Sequence, residues 1–244
     1  MKVSSTELQN NFGKYLLLCI GEPVIISKNG REIAKLTSLE ATDEYDSEKS
    51  IINEEAFSYG FGIKKASYKE FQELTRDNEE RYEYIDGEIY YLASPKTTHQ
   101  IVLTELFVIF HHWFQEKKCT PMVAPYDITL KRHPEDINIV QPDIMVICDL
   151  DEKLNQQDYY MGTPALVVEI ISESTKRKDL IKKLDLYMSC GIQEYWIVNP
   201  SNRQVSIYLF KDQNIREYTA FKYGETAESF TFKGLTVNLS QIFR

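Results

Sequence analysis

The stretch ALVVEIIS, residues 165–172, decides the fold. Ala165, Leu166, Val167, Val168, Ile170 and Ile171 form the short, largely β-branched run of a central strand buried on both faces. Glu169 sits in the middle of that run. Burying an ionised carboxylate alone costs on the order of several kcal/mol, so such a group is protonated, paired with a cation or bound to a metal.

Working outward, the neighbouring segments supply elements that can enclose such a strand. KDLIKKLDLYMSC (178–190) reads as a helix ending at Gly191. The strands EYWIVNP (194–200) and RQVSIYLF (203–210) follow, around an Asn-Pro-Ser-Asn turn. Upstream, MVAPYDITL (122–130) and IVQPDIMVIC (139–148) each read as one strand. Thr97-x-x-Gln100 is a capping-box start for a long helix running to about Lys117, apolar nearly all round and therefore expected at the centre. RYEYIDGEIYYLAS (81–94) reads as a hairpin turning at Asp86-Gly87, and SYKEFQELT (67–75) as a short helix. Helix, three strands, helix, strand is an α/β layout with a mixed sheet between helices, in which sites gather at strand ends.

The chain has 244 residues, 43% hydrophobic and 27% charged, enough for one good core and an appendage. No apolar run approaches the roughly 20 residues of a membrane span, and MKVSSTELQN lacks a signal-peptide pattern. A cytoplasmic protein with no membrane partner is expected. Cys19, Cys119, Cys148 and Cys190 show no Cys-x-x-Cys spacing and are expected to be reduced packing residues. The net charge of −9 argues against a general positive coat for nucleic acid but leaves room for a local basic site.

Much of the acid lies in ATDEYDSEKSIINEEAFSYG (41–60), which reads as a linker. Before it, Leu8, Phe12, Tyr15, Leu16 and Cys19 are spaced as one helix face, with Ser4 or Ser5 able to cap. Gly21-Glu22-Pro23 stops that helix, and VIISKNGREIAKLTS (24–38) reads as a hairpin with Asn29-Gly30 at its turn. A unit this small buries little surface alone and is expected to dimerise or dock. The Ser-Ser-Thr-Glu-Leu start, Asn11-Phe12 and PVIISKNGREIAKL resemble the N-terminal domain of Phd/YefM antitoxins. That resemblance implies a homodimer, operator DNA and a toxin or other protein partner. The domains expected are 1–40 (Phd/YefM-like), 41–66 (acidic linker) and 67–244.

Two carboxylates stand on apolar strands: Asp143, after Pro142, and Glu169. If the strands are neighbours, the pair converges on a divalent cation, and hard oxygen ligands suit magnesium or manganese. On the following helix Leu180, Ile181, Leu184, Tyr187 and Met188 share a face, Lys182 points away, and Lys183 lies at the border, able to reach the sheet. Lys183 also lies four residues from Asp179 and from Tyr187. Lys176, Arg177 and Lys178 form a basic rim for binding nucleic acid beside the two acids. A buried Glu169–Lys183 ion pair without metal satisfies the same charges.

RYEYIDGEI, His99-Gln100, QPDIMVIC, ALVVEIISEST, KDLIKKLDLY, GIQEYWIVNP and GLTVNLSQIF together resemble the Uma-two family, classed with restriction endonucleases in the PD-(D/E)XK nuclease superfamily. The resemblance runs from about Ser67 to Phe243. It implies a restriction-endonuclease-like mixed sheet flanked by helices, and metal-dependent hydrolysis of DNA phosphodiesters with Mg²⁺ or Mn²⁺. Asp143 and Glu169 would be the metal ligands, Lys183 would position the attacking water and the phosphate, and Glu83 would be a further acid of the site. Ile171 stands where the superfamily has its lysine, two residues after the glutamate. That departure keeps open a second reading, a non-catalytic antitoxin-like DNA-binding regulator with an inactive nuclease fold. His99 opens the long helix, where its imidazole either contacts substrate or finishes the cap, the cap being favoured, and His111 and His112 read as surface residues at the far end of the same helix.

Overall fold

The structure, a computed structural model, describes residues 1–4, 7–8, 15, 18–19, 23–28, 31–37, 64–76, 78–171 and 178–243, with residues 64 and 178–180 described by their backbone alone. The chain divides into two compact units, Met1–Ala56 and Phe57–Arg244.

In the first unit β1 (Lys2–Ser4) runs parallel to β2 (Val24–Lys28), which pairs antiparallel with β3 (Arg31–Leu36). Ser4 Oγ accepts from the Glu7 N–H at 3.1 Å, as a capping serine does. Cys19 N–H donates to the Tyr15 carbonyl at 3.0 Å, the i to i−4 bond of a helix, and Tyr15, Leu18 and Cys19 are buried. The expected hairpin is present, with Lys28 paired to Arg31; Phe12, Leu16 and the turn Asn29-Gly30 lie outside the described residues. The first strand, β1, was not expected: three residues carry too little alternation to stand out.

The second unit is a mixed α/β structure built on several sheets. Its first elements are β4 (Lys64–Lys65), α1 (Tyr68–Thr75), β5 (Tyr82–Ile85), β6 (Glu88–Tyr91) and α2 (Thr97–Phe114). β4 falls inside the stretch read as a linker and pairs with β6. Then come β7 (Thr120–Val123), β8 (Ile128–Leu130), β9 (Asn138–Val140), β10 (Ile144–Ile147), α3 (Leu150–Lys153) and β11 (Leu166–Ile170). A π-helical turn, Lys178–Lys183, leads into α4 (Leu184–Ser189). The chain closes with β12 (Glu194–Asn199), β13 (Gln204–Lys211), β14 (Asn214–Lys222), β15 (Thr226–Glu228), β16 (Thr236–Asn238) and α5 (Leu239–Ile242).

Six strands form the main sheet in the order β14-β13-β12-β11-β10-β7. The β11–β12 pair is parallel and the other neighbours are antiparallel, so the sheet is mixed. Five strands form a second sheet, β4-β6-β5-β9-β8, and β15-β16 a third. One face of the main sheet packs Leu166, Val168, Ile170, Trp196, Val198, Val205 and Ile207 against Val102, Leu106, Phe110 and Phe114 of α2 and Leu239 and Ile242 of α5. Each such aliphatic or phenyl side chain contributes about 1.5–3 kcal/mol when fully buried. The alternation of β11 therefore turns Val167 and Glu169 to the opposite face.

Two segments read as single strands are each divided between two sheets. MVAPYDITL becomes β7 in the main sheet and β8 in the second, and IVQPDIMVIC becomes β9 in the second and β10 in the main sheet. Pro125 and Pro142 stand at the two breaks. A proline has no amide to give to a ladder, so it ends one strand and lets the chain change sheet. The two crossings tie the sheets together and put Gln141-Pro142-Asp143 on the seam between them.

Two further expectations are corrected. Thr97 does not cap α2: the helix begins one residue earlier, with Lys96 as its N-cap and no side-chain capping bond, and Thr97 is already helical. Cys119 and Cys148 are not reduced thiols but a disulfide, while Cys19 and Cys190 are free. The β7–β10 register, in which Thr120 faces Ile147, sets the two residues opposite one another one step further on, with Cα atoms 4.0 Å apart. A sequence separation of 29 residues gives no hint of that opposition.

Candidate active site

Asp143 begins the β10 side of the seam and Glu169 lies on β11. The antiparallel register pairs Ile144 with Val168, so one step further brings Asp143 opposite Glu169. The Asp143 side chain folds onto the neighbouring strand: Oδ2 accepts the Ile170 N–H at 2.7 Å and lies 3.2 Å from His99 Nε2. The other oxygen, Oδ1, makes no hydrogen bond among the described residues, and the side chain is 17% exposed.

Behind this pair lies a buried charge cluster. Lys183 Nζ is 2.7 Å from Glu169 Oε1 and 2.7 Å from Glu83 Oε1. The Tyr187 hydroxyl donates to the same Glu169 oxygen at 2.6 Å, and the Gln141 N–H donates to Glu83 Oε1 at 2.9 Å. Glu83, Glu169 and Lys183 are all essentially buried. Charge-assisted hydrogen bonds between such groups are roughly twice as strong as neutral ones, which offsets part of the desolvation cost. Glu83 comes from β5 of the second sheet, Glu169 from the main sheet and Lys183 from the end of the π-helical turn. The cluster is thus where three elements meet.

The surroundings extend the charge pattern. The Gln141 side chain donates to Asp127 Oδ1 at 2.9 Å, which orients its amide, and its Oε1 is buried with no hydrogen-bond partner among the described residues. Crowding out of solvent around the Asp127 carboxyl, reinforced by the Glu83 charge and opposed by the Gln141 bond, raises its pKa above the ordinary value. Across the hairpin Glu83 pairs with Tyr90, whose hydroxyl donates to Glu88 at 2.5 Å. Glu88 also binds Lys182. Burial would raise the Glu88 pKa, but the bonds from Lys182 and Tyr90 outweigh it and hold the carboxyl below its usual range. Burial and the Glu88 bond push the Tyr90 hydroxyl up.

The structure thus brings Asp143, Glu169, Lys183 and Glu83 together. Lys176 and Arg177 lie outside the described residues, as does the side chain of Lys178. Lys183 reaches Glu169 of the main sheet, as the helical-face reading expects, although the backbone there is π-helical; Lys182, read as pointing away, instead reaches Glu88 of β6 in the second sheet. The cap favoured for His99 is not what its imidazole makes: Nε2 lies against Asp143 instead. Tyr187 was visible on the buried helix face and four positions after Lys183, but not as a partner of Glu169. Asp127 and Gln141 gave no signal, because their pairing depends on the β8–β9 register that brings Ile128 opposite Val140.

Among the described residues no group of three or more histidine, cysteine, aspartate or glutamate side chains is arranged to hold a metal ion. Magnesium keeps several waters and is bound through one or two carboxylates, with substrate phosphate completing its shell. The open Asp143 Oδ1 and the orphaned Gln141 Oε1 are oxygen donors of the hard type that such an ion takes.

Residues 68–240 match the Uma2 family, described as "Putative restriction endonuclease". The chain belongs to the Uma2 family. The Uma2 region contains every residue of the cluster. A relative from Synechocystis sp. PCC 6803, described as an uncharacterized protein, is 26% identical over 149 residues, which cover 61% of this chain and 76% of the relative. The fold resembles a crystal structure from Anabaena variabilis ATCC 29413 described as a putative nuclease belonging to DUF820. The TM-score is 0.58 and the identity 18%, over 72% of this chain and 96% of the other.

Proposed function

We propose that the Uma2 region is a metal-dependent endonuclease that hydrolyses DNA phosphodiester bonds, on a restriction-endonuclease-like sheet. The observation that carries the reading is the meeting of Asp143 and Glu169 on adjacent strands, with Lys183 fixed behind Glu169. Asp143 and Glu169 would hold Mg²⁺ or Mn²⁺. When bound, the ion supplies Lewis-acid polarisation of the phosphate and activation of water. Lys183 and Tyr187 fix Glu169 Oε1, and Glu83 fixes Lys183, so the carboxylate meets its ligand without reorganising. Lys183 is too deeply buried, at 2% exposure, to be a free phosphate anchor in this arrangement. Its part is therefore to position Glu169 and to bring one positive charge among the acids. Lys176, Arg177 and Lys178 are assigned to the DNA backbone by their place in the sequence after β11.

The first unit is assigned as a Phd/YefM-like module that dimerises and binds DNA. Three strands of 3, 5 and 6 residues offer too small a core for independence, which favours a second copy or a protein partner such as a toxin. A cytoplasmic location follows from the proposed DNA substrate.

A second reading has its own support. With Ile171 in the superfamily's lysine position and Lys183 enclosed by two carboxylates, the cluster also suits a structural ion triad in a non-catalytic DNA-binding regulator. Incubating the purified chain with plasmid and linear DNA in Mg²⁺ or Mn²⁺, beside Asp143→Asn and Glu169→Gln, separates the two. Cutting that needs metal and both carboxylates supports the nuclease. DNA binding without cutting by any of the three chains supports the regulator.

A further inference from the structure

His99 is the third residue of α2, a helix whose N-cap residue makes no side-chain capping bond. Its imidazole is turned to the site instead, with Nε2 3.2 Å from Asp143 Oδ2. The Ile170 N–H reaches that same oxygen at 2.7 Å. These two contacts on Oδ2 leave Oδ1 as the open oxygen of the carboxylate. His99 and Asp143 are 15% and 17% exposed, against 6% or less for Glu83, Glu169 and Lys183. Solvent, and anything arriving from it, therefore meets the cluster on the His99–Asp143 side.

We propose that His99 is a positioning residue for Asp143. Its Nε2–H donates to Oδ2, which requires the tautomer protonated at Nε2, and it turns Oδ1 outward as the oxygen offered to a divalent cation. The proposal rests on the reading of Asp143 as a metal ligand. A ligating carboxylate that is itself hydrogen-bonded keeps its orientation when the ion leaves. Loss of such a partner elsewhere weakens metal binding about 10–100-fold. The 3.2 Å separation is at the long end of the range for an N–H···O bond.

The test is calorimetric titration of the full chain with Mn²⁺, run on the wild type, Asp143→Asn, His99→Ala and His99→Gln. The metal-free melting midpoint of each is recorded, with a long-range ¹H–¹⁵N spectrum of the wild-type imidazoles. The expected result is a roughly 10–100-fold weaker Mn²⁺ affinity in His99→Ala. His99→Gln, which keeps an N–H donor, should recover most of it, and the spectrum should show His99 protonated at Nε2. Wild-type affinity in His99→Ala, no recovery in a normally folded His99→Gln, or the Nδ1–H tautomer overturns the role of His99 alone. A wild type that binds no Mn²⁺, or an Asp143→Asn that binds it equally well, overturns the metal reading and this proposal with it.

Discussion

Lys183 Nζ lies 2.7 Å from Glu83 Oε1 and 2.7 Å from Glu169 Oε1, so a single ammonium joins the second sheet to the main sheet. Removing it leaves two buried carboxylates facing each other. Lys183→Met is expected to cost about 3–5 kcal/mol in urea unfolding, the loss typical of a broken buried ion pair. Glu83→Gln keeps an acceptor oxygen for Lys183 and the Gln141 N–H, and is expected to cost markedly less. Equal losses in the two variants would show that the charge is not what holds the sheets.

Glu194 is fully buried with no cation bound to it among the described contacts. It accepts instead from Trp196 Nε1 at 2.5 Å, Ser229 Oγ at 3.0 Å and the Thr231 N–H at 2.6 Å. These bonds pin the segment after β15 onto the start of β12. Glu194→Ala strands three donors, at about 1–3 kcal/mol for each one left unsatisfied. Faster amide exchange at Thr231 and Phe232 would locate the damage; unchanged exchange there would mean the segment is held by its phenylalanines alone.

The acid side of the stability profile has two opposed contributions. Glu88 has a depressed folded pKa, so its stabilisation is present above the unfolded value of about 4.3 and is lost as the pH falls through the lower folded value. Asp127 has a raised one, so stability is lost as the pH rises from about 3.9 through the higher folded value. In melting scans from pH 3 to 7, Glu88→Gln should be less stable than wild type at neutral pH and converge with it in acid. Asp127→Asn, which keeps the acceptor for Gln141, should be more stable at neutral pH and converge in acid. Curves parallel to wild type across the whole range would refute both assignments.

The Cys119–Cys148 disulfide joins the edge strand β7 to β10 and closes a loop of 29 residues. In the chain-entropy view such a closure stabilises by about 3–4 kcal/mol. Cys148→Ser should lower unfolding stability by that order, and reduction of the wild type should do the same. A reductant that changes the variant as much as the wild type would place the effect elsewhere.

How much of this was legible in the sequence depends on how local each feature is. The apolar run of β11 with its single carboxylate, the Asp86-Gly87 pair at a hairpin turn and the place of Lys183 at the border of its helix face are local patterns, which a short window of the chain displays. Pro125 and Pro142 were visible too, but reading each flanking segment as one strand hid the change of sheet that carries Asp143 to the seam. The disulfide, the Asp127–Gln141 pair and the His99–Asp143 contact all depend on registers between segments far apart in the chain. No local pattern encodes those registers. His99 shows the cost most clearly, since at a helix start a capping role competes with every longer-range one.

The most direct test of the central claim is the anomalous diffraction of manganese in crystals of the full chain soaked with Mn²⁺. One strong peak is expected at bonding distance, about 2.0–2.1 Å, from a carboxylate oxygen of Asp143 and one of Glu169. Manganese bound only at other positions, with both carboxylates still holding the partners described above, would contradict it and leave the cluster as a structural ion triad.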